Sequence, residues 1–140
     1  MKGSYILLIF LPDESRIRIG SLGLLTFPEG YYLYIGSAMG NNTSTSLENR
    51  VKRHVTKSKN KKIFWHIDYL LTNKNCVIIH IYLIPSIIRL ECIMSEEISK
   101  SSDNLVRGFG SSDCKCQSHL YYFKEFWDLE QISKSPNNSN

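Results

Sequence analysis

Three strand-like segments crowd into the first 36 residues and constrain the fold more than any other part of the chain. Tyr5 to Leu11 is an apolar run closed by the turn Pro12-Asp13-Glu14. Arg16-Ile17-Arg18-Ile19 alternates charged and apolar residues, the two-residue period of a half-buried strand, so a hairpin is predicted. Pro28-Glu29-Gly30 makes a second turn, and the aromatic-rich run from Tyr31 to Ile35 suits a third strand.

Downstream the pattern changes. After the loop from Gly36 to Asn42, Ser44 or Ser46 can cap a helix reaching about Lys57, with Leu47, Val51 and Val55 recurring every four residues. Ile63 to Leu71 predicts a short helix, and Cys76 to Ile84 a buried strand centred on Val77 to Leu83. Ile88 to Lys100 reads as helix with Glu91 in its first turn; Asn104 to Ser118 is a glycine- and serine-rich loop; Leu120 to Phe123 is a last strand or a helix start. The expected class is α+β, a small mixed sheet with helices packed on it. At 140 residues there is room for one domain, taken as 1–134, with a frayed tail over 135–140. A 42% hydrophobic and 21% charged composition excludes collagen, coiled coil and wholesale disorder.

Charge is concentrated. Residues 48–62 hold seven of the seventeen Lys and Arg and one of the thirteen acids, so this window is +6 while the remainder is −2. Such a patch suits a phosphate-bearing or acidic partner, or a solvated helix end and loop. No run approaches the roughly 18 apolar residues of a membrane span, and the apolar run after Met1-Lys2 breaks at Pro12 without a small-residue cleavage site. A cytoplasmic location is therefore expected. In that reducing compartment the four cysteines would be ligands, core residues or reactive thiols rather than disulfides.

Tyr5, Tyr34, Gly36, Arg50, His54 and Glu91 are the groups that could cut a phosphodiester. Such a reaction needs a base for water, charge neutralisation at the phosphoryl oxygens and a stabilised leaving oxygen. Arg50 can grip a phosphate bidentately, and Glu91 offers oxygen to a hard cation. A tyrosine serves as base only if nearby positive charge pulls its pKa well below about 10, and two strand tyrosines facing an arginine predict that setting. The plainer reading makes Tyr5 and Tyr34 core aromatics, Arg50 a partner of Glu48 or Asp68, and Glu91 a complement to a helix dipole.

Gly3-Ser4-Tyr5 and Tyr34-Ile35-Gly36 resemble the two signatures of GIY-YIG nucleases. Leu47 to His54 resembles that family's arginine helix, and Glu91 in Arg89-Leu90-Glu91-Cys92 resembles its metal-binding acid. From residue 3 to 123 the chain is also similar to one branch of the superfamily. That branch carries YYLYIGSAMG-like and WHIDYLL-like segments and ends in FGSSDCxCxSHLYY; its members also occur fused to endonuclease III-type repair enzymes. The resemblance implies a three-stranded antiparallel sheet flanked by helices and metal-dependent DNA hydrolysis with one Mg²⁺ or Mn²⁺. It implies that Tyr5 and Tyr34 position or activate water, Arg50 binds the scissile phosphate, and His54 assists proton transfer or phosphate contact. Glu91 would hold the ion, and Gly36 would allow close backbone approach. Ser37, Lys52, Arg53, Lys57, Lys59, Lys61 and Lys62 would contact the DNA backbone. Arg53 is the second candidate for the phosphate role because the loop before the helix is long, and Ser4 replaces the middle isoleucine of the first signature.

A second group is Cys92, Asp113, Cys114, Cys116 and His119. It could hold Zn²⁺ as a Cys2His or Cys3His set, place an Asp113–His119 pair beside a reactive thiol, or simply pack its thiols inward. In Trp65-His66-Ile67-Asp68-Tyr69, Trp65 and Leu70 are expected to anchor a helix on the sheet, while His66 could touch DNA. Tyr31 or Phe64 could stack on an unpaired base. The leading expectation is a DNA endonuclease of repair or recombination, with a repair protein as a possible partner. The alternatives are a non-catalytic nucleic-acid-binding module and a zinc-stabilised interaction protein.

Overall fold

A computed structural model describes residues 1–40, 46–56 and 62–125. The Lys57, Lys59 and Lys61 contacts, the Ser44 cap and the 135–140 tail lie outside the described residues. The elements are β1 (Gly3–Leu11), β2 (Ser15–Arg18), a 3₁₀ turn (Gly20–Leu22), β3 (Leu24–Phe27), β4 (Gly30–Ala38), α1 (Leu47–Val55), α2 (His66–Leu71), β5 (Val77–Pro85), α3 (Glu91–Ser99), β6 (Asn104–Leu105) and β7 (Leu120–Phe123). The class is α+β.

Among the described residues the sheet has five strands rather than three, in the order β5-β1-β4-β7-β6, and every pairing in it is antiparallel. β1 pairs directly with β4, so Tyr5 faces Gly36 and Leu7 faces Tyr34. The predicted Arg16–Ile19 strand does not join them. It pairs with β3 as a separate two-stranded ribbon. The reason is burial: eight of the nine β1 residues are buried, so both faces of that strand are covered. A strand carrying Arg16 and Arg18 cannot occupy such a position without desolvating charge.

One face packs Tyr5, Leu7, Ile9, Tyr32 and Tyr34 against Leu47 of α1, Ile67, Leu70 and Leu71 of α2, and Ile19 and Phe27 of the ribbon. The other packs Ile6, Leu8, Leu33 and Ile35 against Ile98 and Met94 of α3 and Tyr121 and Phe123 of β7. β5 is an edge strand, not the buried strand expected, with Val77 50% and Leu83 52% exposed.

Side chains that accept from backbone N–H groups fix the starts of α1 and α2. Ser46 Oγ accepts from Asn49 N at 3.3 Å and starts α1; Thr56, whose hydroxyl donates to the Lys52 carbonyl, ends it earlier than Lys57. Asp68 accepts from the Phe64 and Trp65 amides at 2.8 and 3.0 Å, so α2 begins at His66 rather than at Ile63. Within α1 the inward face differs from the predicted stripe: His54 is buried and Val55 is 44% exposed. Among the described residues no helix is long and apolar enough to cross a membrane.

Candidate active site

The β1–β4 register stacks the Tyr5 ring over Gly36. A methyl group on Gly36 would lie 2.5 Å from the Tyr5 hydroxyl oxygen and collide with its ring, so only glycine fits beneath it. Gly36→Ala is expected to cost about 1–3 kcal/mol of stability in urea unfolding through overpacking. It should also push the phenol away from its partner, because the hydroxyl lies 2.7 Å from His54 Nε2. Tyr34 completes the group, its ring centroid 6.3 Å from both Tyr5 and His54.

Arg50 sits one turn before His54 on α1. Its Nη1 donates to the Ser37 carbonyl at 3.2 Å, and its guanidinium carbon lies 4.3 Å from the centre of the Trp65 ring. The cation–π contact with Trp65 and the bond to the Ser37 carbonyl together hold the group in place, as a lysine could not be held. Glu91 enters from the first turn of α3, one-fifth exposed, with Arg89 Nη1 3.4 Å from its carboxylate. Tyr5, Tyr34, Gly36, Ser37, Arg50 and Glu91 all line one cleft of about 630 Å³. His54 lies behind Tyr5, 1% exposed.

The expectation of acidified phenols does not hold in the protein itself. Burial pushes Tyr5 and Tyr34 well above the ordinary tyrosine range, and the opposing charge of Arg50 is too weak to reverse it. Both rest as neutral phenols at pH 7.

Arg53 is not in the cleft. Its guanidinium pairs with Asp68 at 2.8 Å, donates to the Lys62 carbonyl and faces the Phe64 ring at 5.0 Å. It braces α1 against the segment leading into α2. Arg50 therefore pairs with neither Glu48 nor Asp68: Asp68 is engaged by Arg53, and Glu48 by the Met1 amine at 3.0 Å. Lys52 and Lys62 are exposed outside the cleft.

With this geometry in place, the family model described as Domain of unknown function DUF123 matches residues 4–138. The chain belongs to that family, which is GIY-YIG-like. No curated protein and no solved structure gives a significant match. In this GIY-YIG-like chain the first signature does more than display its tyrosine. Ser4, fully buried on the opposite face from Tyr5, bonds Ser37 Oγ at 3.1 Å and accepts from the Leu90 amide at 3.4 Å. That amide immediately precedes Glu91, so one serine ties both signature strands to the start of α3. Two serines in register in an otherwise apolar pair were the available sequence signal.

His66 also reaches the cleft. Its Nδ1 accepts from the Gly110 amide at 2.9 Å, leaving Nε2 to carry the proton, and burial lowers its pKa so that it is neutral at pH 7. Gly110 adopts φ +71°, a left-handed conformation that points its amide at His66. Asp113 and His119 line the same cleft.

The four ligand atoms of Cys92, Cys114, Cys116 and His119 all lie within 4.8 Å of one another, a Cys3His cluster that could hold a metal ion. The alternative Asp113–His119 pair does not form: His119 gives Nδ1 to Ser95 Oγ at 2.6 Å and Nε2 to Cys114 Sγ at 3.2 Å. Burial, reinforced by the neighbouring thiols, raises the pKa of Cys116 well above the ordinary thiol range.

Proposed function

We propose that this chain is a metal-dependent endonuclease that hydrolyses DNA phosphodiester bonds in repair or recombination. The observation that carries this reading is the convergence of Tyr5, Tyr34, Arg50 and Glu91 on one cleft, with His54 hydrogen-bonded behind Tyr5. Similarity to the branch fused to endonuclease III-type enzymes supports the repair setting and a repair protein as partner.

Arg50 binds the scissile phosphate, its plane pre-set by Trp65 and Ser37. Glu91 supplies the carboxylate for one Mg²⁺ or Mn²⁺; such ions use few protein oxygens and fill the remaining positions with water and phosphate. Bound there, the ion supplies Lewis-acid stabilisation of the phosphoryl oxygens. The neutral phenols suit a relay better than a resting phenolate. As Tyr5 takes a proton from the attacking water it passes its own to His54 Nε2, 2.7 Å away. Tyr34 orients that water, and Lys52 and Lys62, with Lys57, Lys59 and Lys61 of the same basic run, follow the sugar–phosphate backbone.

Four protein ligands leave no open position on a metal, so a Zn²⁺ ion in the Cys3His set would be structural, as in a zinc-stabilised protein, and compatible with hydrolysis at the cleft. The raised phenols favour one second reading, a nucleic-acid-binding module on the same fold that does not cleave.

Nicked, branched and duplex DNA incubated with Mg²⁺, Mn²⁺ or chelator separates the two. Cleavage is expected only with metal, and Glu91→Ala should reduce it to the chelator level while retaining binding that weakens steeply with salt. Salt-sensitive binding by the wild type without product under any metal would overturn the hydrolase reading in favour of the module.

A further inference from the structure

Cys92, Cys114, Cys116 and His119 come from two separate parts of the chain: Cys92 from the first turn of α3 and the other three from the loop leading into β7. Tetrahedral zinc, with Zn–S about 2.3 Å and Zn–N about 2.0–2.1 Å, sets its ligand atoms somewhat under 4 Å apart. A mutual spread of at most 4.8 Å therefore closes on such an ion with shifts no larger than a side-chain rotation provides. Three sulfurs and an imidazole are soft ligands that select zinc over magnesium or calcium.

The surroundings are arranged for the same purpose. A metal-bound imidazole needs its second nitrogen held by an acceptor, which fixes the tautomer and aims the first. His119 has that support: Ser95 Oγ, on a buried serine of α3, lies 2.6 Å from Nδ1, and Nε2 faces Cys114 Sγ at 3.2 Å. The loop is pinned by backbone bonds from Gly108 N to Gln117 O at 2.8 Å, His119 N to Phe109 O at 2.8 Å and Cys114 N to Ser111 O at 3.3 Å. Loop and helix thus present their ligands to each other already in place.

We infer that these four residues bind one Zn²⁺ ion that clamps the start of α3 to the loop before β7 and so holds Glu91 at the cleft. Cys92 follows Glu91 directly, and His119 lines the cleft itself, so the ion and the acid share one stretch of backbone. The clamp is a positioning device, since four protein ligands exclude a metal-bound water. Zinc binding stands on the cluster alone; the effect on Glu91 rests on the hydrolase reading.

The test uses the full chain. Elemental analysis should find one zinc per molecule. Exchange into Co²⁺ should give thiolate-to-metal charge transfer and the intense d–d bands of a tetrahedral site. Cys116→Ser should abolish both, whereas Cys76→Ala, which alters a buried cysteine outside the cluster, should keep them. Ser95→Ala should weaken metal binding by about 10- to 100-fold. Wild-type protein with reduced thiols that takes up neither zinc nor Co²⁺, or that carries a disulfide within the cluster, would overturn the site. Cys92→Ser should also lower Mg²⁺-dependent cleavage at least about tenfold, as expected for a displaced metal-binding acid. Zinc binding with cleavage unchanged in Cys92→Ser would overturn the clamp and leave the site standing. Zinc binding with no cleavage by any variant would instead count against the hydrolase reading and, with it, the clamp's role.

Discussion

Replacing Arg50 by lysine is expected to lower DNA cleavage about 100- to 1000-fold, the usual cost of losing an oriented donor to a phosphoryl or oxyanion group. The charge survives the change, but the geometry does not. Lysine has neither the guanidinium whose carbon lies 4.3 Å from the centre of the Trp65 ring nor the fork that reaches the Ser37 carbonyl while presenting other donors to a phosphate. Arg53→Lys provides the contrast, because that side chain is spent on Asp68 and the Lys62 carbonyl. It should lower the melting temperature and leave the rate per folded molecule within a fewfold of wild type. Rates on the same metal-loaded substrate, normalised to folded protein, check both. A retained rate in Arg50→Lys together with a lost one in Arg53→Lys would transfer the phosphate role to Arg53.

The second large effect concerns stability. Asp68→Ala is expected to cost about 3–5 kcal/mol, because it leaves the Arg53 guanidinium without its counter-charge and the Phe64 and Trp65 amides without their acceptor. Against the 5–15 kcal/mol typical of a domain this is a large fraction, readable by urea unfolding at pH 7. The same carboxylate sets an acid limb. Burial raises its pKa, but the Trp65 and Phe64 amides and Arg53 outweigh burial and hold it below the ordinary aspartate range. A depressed folded pKa means the stabilisation is complete above about pH 4 and fades as pH falls through the folded value. Asp68→Asn should flatten that part of the pH–stability curve.

Much of the cleft was legible because it depends on local periods. Tyr5 and Tyr34 lie on strands whose alternation places them on one face, and Arg50 and His54 share a helix face at four-residue spacing. What local periods cannot resolve is which of two neighbouring helix positions turns inward, so His54 occupies a place that hydropathy assigns to Val55. The separation of the β2–β3 ribbon from the sheet was hidden for a related reason: its alternation is that of any half-buried strand, and only the double coverage of β1 excludes it. The expected acid phenols do not form because the burial that outweighs Arg50 is tertiary, whereas Arg50 itself is visible along the chain. In the cysteine cluster the residue types alone nominate Cys92, Cys114, Cys116 and His119, but the packing of α3 against the loop is what brings their ligand atoms together and leaves Asp113 out of the set.

Ser4 has a consequence for redesign. One face of β1 carries the phenol and the other carries the hydroxyl that meets the backbone just ahead of Glu91. Placing the superfamily's usual isoleucine at this position would make the sequence look more conventional while removing the acceptor of the half-buried Leu90 amide. The acid would then lose its mechanical link to the tyrosines, so a consensus substitution chosen for robustness could loosen the alignment between the two walls of the cleft.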